Sequence, residues 1–195
     1  MSDDQKRYPK EYDGHVCHPR HVKKFDNFLR PFVHSPKKLF GPYVKPGMTA
    51  LDVGCGRGFA SIGLARLVGQ QGRVISADLQ EEMLDMVRER AGTAGLADRI
   101  TYHRCGKTSI GFDGAVDFIV AFYMVHETPD KKAFFRETFS LLNPGARMMV
   151  AEPLFHISKK GFEKEIESAR ATGFQVVDRP RVLGSRAVVL GRPGA

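Results

Sequence analysis

The stretch LDVGCGRG, residues 51–58, decides the fold of this 195-residue chain. It ends a short apolar run, TALDV from residue 49, and precedes FASIGLARLVG, whose apolar residues recur at helical spacing. A glycine-rich turn between a strand and a helix lets the backbone approach a ligand closely and points free helix N–H groups at it. The stretch therefore predicts the first strand–helix unit of an α/β fold, with a ligand at its turn.

The spacing of the glycines distinguishes two kinds of cofactor. A dinucleotide-binding turn, G-x-G-x-x-G, would require glycine at position 59, where this chain has Phe59. The pattern present is D-x-G-x-G-x-G, formed by Asp52, Gly54, Gly56 and Gly58. Asp78 ends the second predicted strand, where a carboxylate can accept hydrogen bonds from both hydroxyls of a ribose. Together these residues favour a nucleoside-containing cofactor over a purely structural turn.

Strand and helix patterns alternate along the rest of the chain. RVISAD, RITYHRC, VDFIVAFYMV and ARMMVAEP predict strands, and EEMLDMVRERAGTAG, DKKAFFRETFSLL and SKKGFEKEIESARATG predict helices. The last two strand patterns, FQVVD and SRAVVLG, have no helix between them and should pair antiparallel. Crossover helices imply that the other strands are parallel. We predict a Rossmann-like doubly wound α/β sheet of seven strands, mostly parallel with one antiparallel strand, plus a short N-terminal helical cap.

Composition restricts the class of protein. The chain has 42% hydrophobic and 27% charged residues, which is ordinary for a globular protein. Its longest apolar run, FIVAFYMV from residue 118, is too short to span a bilayer, and the polar stretch MSDDQKRYPK does not have the apolar core expected of a secretory signal. Three cysteines favour a reducing compartment over a disulfide framework. We expect a cytoplasmic protein that does not associate with a membrane.

The basic residues are concentrated at the start of the chain. Residues 1–47 hold ten Lys or Arg and five Asp or Glu, and so contribute +5 of the net charge of +8. A segment of this kind can attract an anionic substrate or nucleic acid, although a solvated surface is the simpler interpretation. Pro, His and Lys are frequent in it, and only HVKKFDNFLRPFV has a helical pattern. We predict an N-terminal cap segment over residues 1–47 and one main domain over residues 48–195.

Three stretches of the chain resemble class I S-adenosylmethionine-dependent methyltransferases of the small type-11 sort: LDVGCGRG, SADL at residues 76–79, and LLNPGARMMVAEP. The resemblance extends from about residue 40 to the end and makes residues 48–195 the methyltransferase domain. It implies S-adenosylmethionine as cofactor and S-adenosylhomocysteine as product. The implied contacts to the methionine part come from Asp52, Gly54, Cys55 and Gly56. The ribose and adenine would lie against Asp78 and Leu79.

One position departs from that family pattern. Many members carry an aspartate after the third strand that meets the adenine amino group, and in RITYHRCGKTSIGF this slot falls on Gly106, with Cys105 beside it. The adenine would then be recognised by backbone groups or by a different side chain. Gly106, together with Ala121 of the fourth strand pattern, completes the predicted cofactor-binding set.

The reaction places few demands on the protein's own chemistry. Methyl transfer from a sulfonium is an in-line displacement, so catalysis depends mainly on holding donor and acceptor at attack distance. A general base is needed only if the acceptor must lose a proton. The acceptor should lie beyond the fourth strand, in FYMVHETPD, where His126 and Tyr123 are candidate catalytic residues, with Glu127 and Glu152 nearby. The alternative role of His126 is that of a hydrogen-bonded residue that ends a buried strand.

The segment HVCHPRH, residues 15–21, raises the possibility of a metal site. Cys17 and His21 are spaced i,i+4, and His18 and His21 i,i+3, so a helix would place them on one face. Cysteine and histidine are preferred ligands of thiophilic ions. A candidate metal or metalloid site therefore comprises Cys17, His18, His21 and Cys105. Known zinc-ligand spacings are not matched, and a cap that lines the acceptor pocket is the simpler interpretation.

We predict an S-adenosylmethionine-dependent methyltransferase that acts on a small-molecule acceptor. Three alternatives stay open: methylation of a metal, metalloid or thiol held by Cys17 and Cys105, an RNA-associated methyltransferase, and a cofactor-binding protein without catalysis. The sequence does not specify the acceptor or the oligomeric state. Nucleic acid is the less favoured partner, because AFYMVHE lacks the N/D-P-P-Y/F motif of adenine- and cytosine-N4-modifying relatives.

Overall fold

The computed structural model describes residues 34–194 of the chain. The strands in this range are Thr49–Val53 (β1), Arg73–Asp78 (β2), Ile100–Arg104 (β3), Val116–Phe122 (β4), Leu142–Pro153 (β5), Gln175–Asp178 (β6) and Ser185–Gly191 (β7). The helices are Pro36–Phe40 (α1), Phe59–Val68 (α2), Glu81–Thr93 (α3), Lys131–Leu141 (α4) and Lys159–Arg170 (α5). Two 3-10 turns cover Ala97–Arg99 and Val125–Glu127.

The strands of residues 34–194 form one seven-stranded sheet in the order β3-β2-β1-β4-β5-β7-β6. Strand β1 pairs in parallel with β2 and β4, β2 with β3, and β4 with β5. Strand β7 runs antiparallel to both of its neighbours, β5 and β6. The predicted fold class, a mostly parallel doubly wound sheet with one antiparallel strand, is confirmed.

The apolar core lies on both faces of the sheet, because successive strand residues point to opposite sides. In β4, Phe118 and Val120 belong to one cluster, together with buried residues of α1, α2 and α3. Ile119 and Ala121 belong to the other, together with buried residues of α4 and α5. Helices therefore cover both faces and leave the sheet edges at the strand ends open for a ligand. No helix of residues 34–194 has the length and apolar character required to cross a membrane.

Strand β5 is longer than the sequence pattern indicated. The predicted strand began at Ala146, but β5 begins at Leu142, which pairs with Val116 before the register shifts to the pair Phe118 and Arg147. Gly145 has a φ of +80°, a conformation that glycine adopts without steric cost, within this irregular stretch. The NPG sequence therefore ends α4 as expected without interrupting the strand that follows.

The described part of the cap segment packs against the main domain. Helix α1 was not predicted, and its Phe40 is fully buried in the core. A Cβ added to Gly63 of α2 would come within 2.3 Å of the Pro36 Cβ, so α1 and α2 approach closely. The boundary between residues 47 and 48 stays a prediction, and the helix predicted in HVKKFDNFLRPFV lies outside the described residues.

Candidate active site

A cleft of about 260 Å³ opens at the carboxyl edge of the sheet, where β1, β2, β3 and β4 end. Helix α2 leaves β1 toward one face and α4 follows β4 toward the other, so the chain separates here as it does at the ligand-binding switch point of doubly wound sheets. The predicted site residues that line the cleft are Asp52, Gly54, Cys55, Gly56, Asp78, Leu79, Cys105, Gly106, Tyr123 and His126. The fold thus brings together residues that are up to 74 positions apart in the sequence.

The glycine turn adopts a backbone conformation that favours glycine. Gly54 has a φ of +65°, Gly56 of +50° and Gly58 of +82°. A Cβ added at Gly54 would lie 2.8 Å from the Met124 side chain, and one added at Gly58 would lie 3.0 Å from Val87. At Gly56 no atom of the described structure lies within 4 Å of an added Cβ. The backbone of Gly56 therefore faces open space in the cleft, where a ligand can approach it.

Asp78 is positioned by backbone donors at the end of β2. Its Oδ2 accepts a hydrogen bond from the Gly56 N–H at 2.9 Å, and its Oδ1 accepts one from the Gln80 N–H at 3.0 Å. Burial raises the pKa of Asp78, and the hydrogen bonds from the backbone of Gln80, Gly56 and Leu79 oppose that rise. A carboxylate has about four acceptor sites, so the three backbone donors leave capacity for a bond from a ribose hydroxyl.

Asp52 supports the glycine turn through a buried hydrogen-bond network. Its side chain is buried, and its Oδ2 accepts a hydrogen bond from the Ser61 hydroxyl at 2.5 Å. The Ser76 hydroxyl donates in turn to Ser61 at 2.7 Å. This chain of bonds joins β1, α2 and β2 beneath the turn. The acid of the sequence motif therefore has a structural function here in addition to lining the cleft.

The segment after β3 supplies the wall where the family pattern would place an aspartate. Cys105 and Gly106 line the cleft, and the backbone N–H of Cys105 donates to the Asp78 carbonyl at 2.9 Å. Glu137 of α4 holds the same segment: it accepts bonds from the N–H groups of Ile110 at 2.9 Å and Gly111 at 2.8 Å. Sequence reasoning missed Glu137, because its partners lie 26 and 27 residues away and no local motif links them.

The predicted metal ligands are only partly described. Cys17, His18 and His21 lie outside the described residues. Cys105 is a free thiol, and burial raises its pKa to about 12, with the charges of Asp78 and Glu137 adding to the rise. Within residues 34–194, no group of three or more His, Cys, Asp or Glu side chains is arranged to hold a metal ion.

Two further predicted cofactor residues occupy different environments. Cys55 is a buried free thiol in the turn, and its backbone N–H donates to the Ala77 carbonyl at 3.0 Å. Ala121 is fully buried in β4, where it pairs with Val53 and Val150 and packs in the core. The cleft wall at this strand is formed instead by Phe122 and the residues after it.

His126 forms the most polar feature of the cleft wall. Its Nδ1 is hydrogen-bonded to Oε2 of Glu152, a fully buried carboxylate at the end of β5, and its backbone N–H donates to Oε1 of the same side chain at 3.2 Å. The imidazole is 20% exposed. Because a carboxylate oxygen accepts, Nδ1 carries a proton, and Nε2 is the nitrogen that is unprotonated in the neutral ring and can act as a base.

Negative charge surrounds this histidine. Burial opposes its charged form, but the hydrogen bond and charge of Glu152, together with the charges of Glu127 and Glu165, outweigh that effect and raise the pKa of His126. Glu127 Oε1 lies 3.8 Å from His126 Nε2, and His156 Nδ1 is hydrogen-bonded to the same nitrogen at 3.4 Å. His126 is therefore held in one orientation by a buried carboxylate in an acidic environment.

Glu165 of α5 is a buried acid that the sequence reasoning did not identify. It is 2% exposed, and neither carboxylate oxygen has a hydrogen-bond partner among the described residues. The Lys131 Nζ lies 3.9 Å from its Oε1. Burial and the charge of Glu152 raise its pKa to about 7, although Lys131 and His126 lower it. The sequence gives no local signal for this acid, which sits among the apolar positions of an amphipathic helix.

Tyr123 has an unusual backbone conformation immediately after β4. Its φ of +68° is rare for a residue with a bulky side chain, and such strain is found mainly at functional sites. Its N–H donates to the Ala151 carbonyl at 2.8 Å, and its hydroxyl lies 2.5 Å from the Ser185 hydroxyl. The ring lines the cleft beside Phe122, so the predicted catalytic pair, His126 and Tyr123, lies on the same wall.

Sheet and cleft together define the class of protein. A seven-stranded sheet with a reversed β7, a glycine turn after β1 and a buried acid at the end of β2 form the architecture of class I S-adenosylmethionine-dependent methyltransferases. The residues fit the cofactor, because Gly56 leaves open space at the turn and the Asp78 carboxylate keeps acceptor capacity.

Comparison with known proteins agrees with this class. Residues 44–178 match the family model described as methyltransferase domain. The ubiquinone/menaquinone biosynthesis C-methyltransferase of Cronobacter sakazakii is 31% identical over 137 residues, which cover 70% of this chain and 53% of that protein. The chain therefore spans about half the length of the curated relatives it matches. It belongs to the class I S-adenosylmethionine-dependent methyltransferases.

Solved structures give the same result. A SAM-dependent methyltransferase from Aquifex aeolicus superposes with a TM-score of 0.80 at 26% identity and covers 91% of this chain and 100% of that one. A SAM-dependent O-methyltransferase from Thermotoga maritima superposes with a TM-score of 0.67 at 20% identity, covering 82% of this chain and 65% of that one. The second similarity establishes the fold alone.

Proposed function

We propose that this protein transfers a methyl group from S-adenosylmethionine to a small apolar acceptor that must lose a proton, and that His126 removes that proton. The observation that carries the proposal is the His126 imidazole, bonded to buried Glu152, on the wall of the same cleft as the glycine turn. A base is useful only where an acceptor proton has to leave. The pairing of His126 with Glu152 therefore favours a methyl acceptor that is an acidic hydroxyl or a carbon acid over an amine, which is already nucleophilic.

The residues proposed to hold the cofactor are those of the glycine turn and the end of β2. The backbone of Gly54–Gly56 would contact its methionine part, and Asp78 would accept bonds from its ribose hydroxyls. Leu79 and the segment after β3 would flank the adenine. When bound, the cofactor supplies an electrophilic methyl group on a sulfonium.

The proposed proton transfer uses atoms of His126 and Glu152. Nε2 of His126 accepts the acceptor's proton, while Nδ1–H stays bonded to the Glu152 carboxylate. Glu152 stabilises the imidazolium that forms, because the two opposite charges lie in contact away from water. The proton then returns to solvent through the exposed part of the ring. The acceptor gains a methyl group and loses a proton, so the reaction is balanced without a further reactant.

The lining of the cleft supports an apolar acceptor, and the relatives' names support methylation at carbon. Phe122, Met124, Phe134 and Pro129 contribute apolar surface beside His126. The relatives in the sequence comparison are named C-methyltransferases of ubiquinone/menaquinone biosynthesis. Loss of a proton from a phenol or an enol makes an adjacent carbon nucleophilic. We therefore infer that the acceptor is a phenolic or enolisable compound methylated at carbon.

The test is methyl transfer from S-adenosylmethionine labelled on its methyl group, with a panel of phenols and enolisable compounds as acceptors. The variant His126→Asn should lower kcat by about 10²–10⁴, the usual contribution of a general base, and should retain S-adenosylhomocysteine binding. His103→Asn is the control, because that imidazole does not line the cleft and, within residues 34–194, is hydrogen-bonded to the Ile110 carbonyl at 2.8 Å. Unchanged turnover in His126→Asn would show that His126 is not the general base. Cofactor binding with no product from any acceptor would favour the non-catalytic alternative.

The soft-ion alternative has less support. It depends on Cys17, which is outside the described residues, and on Cys105, whose raised pKa of about 12 disfavours the thiolate that binds metalloids. Its test is methyl transfer to arsenite by Cys17→Ser and Cys105→Ser variants, which should both lose activity if the alternative is correct.

A further inference from the structure

Three large apolar side chains are exposed at the end of the molecule that holds the cleft. Leu154 is 43% exposed, Phe155 95% and Leu183 70%. They form what we call the apolar rim. The Leu154 N–H donates to the Gly184 carbonyl at 3.0 Å, so the loop after β5 and the loop before β7 are joined. Apolar side chains grouped in this way, rather than scattered singly, mark interaction surfaces.

The apolar rim adjoins the mouth of the cleft. Pro153 and His156, on either side of Leu154 and Phe155 in the chain, both line the cleft. The short contact between the hydroxyls of Tyr123 and Ser185 ties the other loop to the cleft wall. A surface that binds the rim would therefore lie next to the opening through which an acceptor enters.

The charge of the two rim loops is of one sign. Residues 154–160 and 180–186 contain Lys159, Lys160, Arg181 and Arg186 and no Asp or Glu. Lys159 and Lys160 are exposed in the first turn of α5, which has no acidic residue. The helix dipole disfavours cations at that end of a helix. Arg181 is also exposed, so three cations face solvent beside the apolar rim.

We propose that the apolar rim docks on a bilayer surface that contains anionic lipid, with Phe155 and the two leucines in the headgroup–acyl boundary and the three cations on the headgroups. A membrane is favoured over RNA because two of the three rim side chains are aliphatic and cannot stack on bases. The proposal departs from the sequence-based expectation of no membrane association. The proposal rests on the proposed function in one respect: the apolar rim would bring the cleft to an acceptor that is dissolved in the lipid.

Binding to vesicles tests the surface without any turnover. The full chain should float with phosphatidylcholine vesicles that contain phosphatidylglycerol, bind weakly to phosphatidylcholine alone, and lose affinity as salt is added. The double variant Phe155→Ser, Leu183→Ser should weaken binding by at least about tenfold, since each side chain buries an apolar surface. The variant Lys159→Gln, Lys160→Gln, Arg181→Gln should weaken binding and reduce its dependence on salt.

Two control variants each make one change of the same kind elsewhere. Val177→Ser removes an apolar side chain that is 48% exposed on the edge strand β6. Arg73→Gln removes an exposed cation at the opposite edge of the sheet, where β2 begins. Both controls should bind vesicles as the unaltered chain does. S-adenosylhomocysteine binding is measured for every variant, so that a misfolded variant is recognised.

Three outcomes would overturn the proposal. Equal vesicle binding by the rim variants and the controls would show that the apolar rim is not the membrane-binding surface. Binding to single-stranded RNA that depends on the cations but not on Phe155 and Leu183, without vesicle binding, would identify an RNA surface. A dimer that Phe155→Ser dissociates, again without vesicle binding, would identify self-association. Absence of turnover on every water-soluble acceptor by the unaltered chain, with vesicle binding intact, would count against the proposed function alone.

Discussion

At the scale of single residues, the pairing of His126 with Glu152 determines the chemistry that the cleft can perform. The carboxylate is fully buried and bonds both Nδ1 and the backbone N–H of the histidine. It therefore fixes the orientation of the ring and leaves Nε2 beside Glu127 and His156, which also line the cleft. The neighbouring acids Glu127 and Glu165 add negative charge, which stabilises the imidazolium.

This environment predicts the pH dependence of methyl transfer. The neutral imidazole is the base, so kcat/KM should fall as the pH drops through the raised pKa of His126. Glu152→Gln removes the charge and the acceptor that raise this pKa, so the acid limb should move to lower pH while kcat decreases. The measurement is a pH–rate profile beside an NMR titration of the His126 ring. An acid limb that stays in place in Glu152→Gln would contradict the role of the pair.

Glu165 predicts a second pH effect, on stability. Its folded pKa of about 7 exceeds the ordinary value of 4.5, so the folded state holds a proton that the unfolded state has released between these pH values. The penalty is absent at pH 4 and complete above neutrality. Glu165→Gln should therefore raise the free energy of unfolding at pH 8 by about 1–2 kcal/mol and have little effect at pH 4.

The control for this prediction lies on the same helix. Glu163 is paired with Arg179 at 2.7 Å and 2.9 Å, and the hydrogen bonds from that guanidinium lower its pKa. Glu163→Gln should therefore be neutral or slightly destabilising at pH 8, as expected for a surface pair. Urea unfolding at both pH values measures the two variants. A stabilisation that is equal at pH 4 and pH 8 would exclude a buried, titrating Glu165.

At the scale of elements, the closeness of α1 and α2 depends on one glycine. Gly63 lies in the interior of α2, where glycine weakens a helix, yet an added Cβ there would meet the Pro36 Cβ at 2.3 Å and its Cγ at 2.8 Å. The missing side chain lets α1 pack on the domain and bury Phe40. The described end of the cap segment is therefore attached through steric fit as well as apolar burial.

Two glycine-to-alanine variants separate these effects. Gly63→Ala should lower the free energy of unfolding by about 1–3 kcal/mol, because overpacking outweighs the gain in helix propensity. Gly92, in α3, has open space around an added Cβ. Gly92→Ala should therefore raise the free energy of unfolding by up to about 0.5–1 kcal/mol. Chemical denaturation of both variants is the measurement, and stabilisation by Gly63→Ala would show that α1 does not pack as described.

At the scale of the whole molecule, ligand binding in the cleft is coupled to the folding of the entire domain. Its walls come from the ends of β1, β2, β3 and β4 and from α4, so a ligand in it contacts elements on both faces. A ligand that binds only the folded state stabilises the entire domain by mass action. The cofactor product should therefore report on the integrity of the site through thermal stability.

S-adenosylhomocysteine at one hundred times its dissociation constant should add about 2.7 kcal/mol to stability. That corresponds to a rise in Tm of roughly 5–10 °C for a chain of this length. Gly56→Ala should reduce this rise, because its Cβ would enter the open space of the turn at a φ of +50°. Gly47→Ala, with a φ of +86° and no atom within 4 Å, imposes similar strain outside the cleft and should keep the full rise. Equal rises in both variants would contradict cofactor contact at Gly56.

Local patterns in the sequence predicted most of the fold and the part of the cleft formed by the glycine turn and Asp78. The apolar periodicity of strands and helices is set by neighbouring residues, so the order of elements and the reversed β7 could be predicted. The turn LDVGCGRG and Asp78 are separated by α2 and the rest of β2, and both could be located by the same reasoning. Ala121 was expected at the cofactor, but its side chain lies in the core because of strand alternation, while the adjacent Phe122 faces the cleft.

The sequence by itself determined the class of fold, the glycine turn and the acids at the ends of β1 and β2, because each is encoded in a short run of residues. Only the tertiary structure decided which distant groups meet. Glu152 reaches His126 from 26 residues away, Glu137 holds the segment after β3, and Glu165 is buried where it interacts with the charges of Glu152 and His126. The apolar rim likewise joins two loops. These contacts depend on how helices and strands pack in space, and periodicity along the chain carries no information about them.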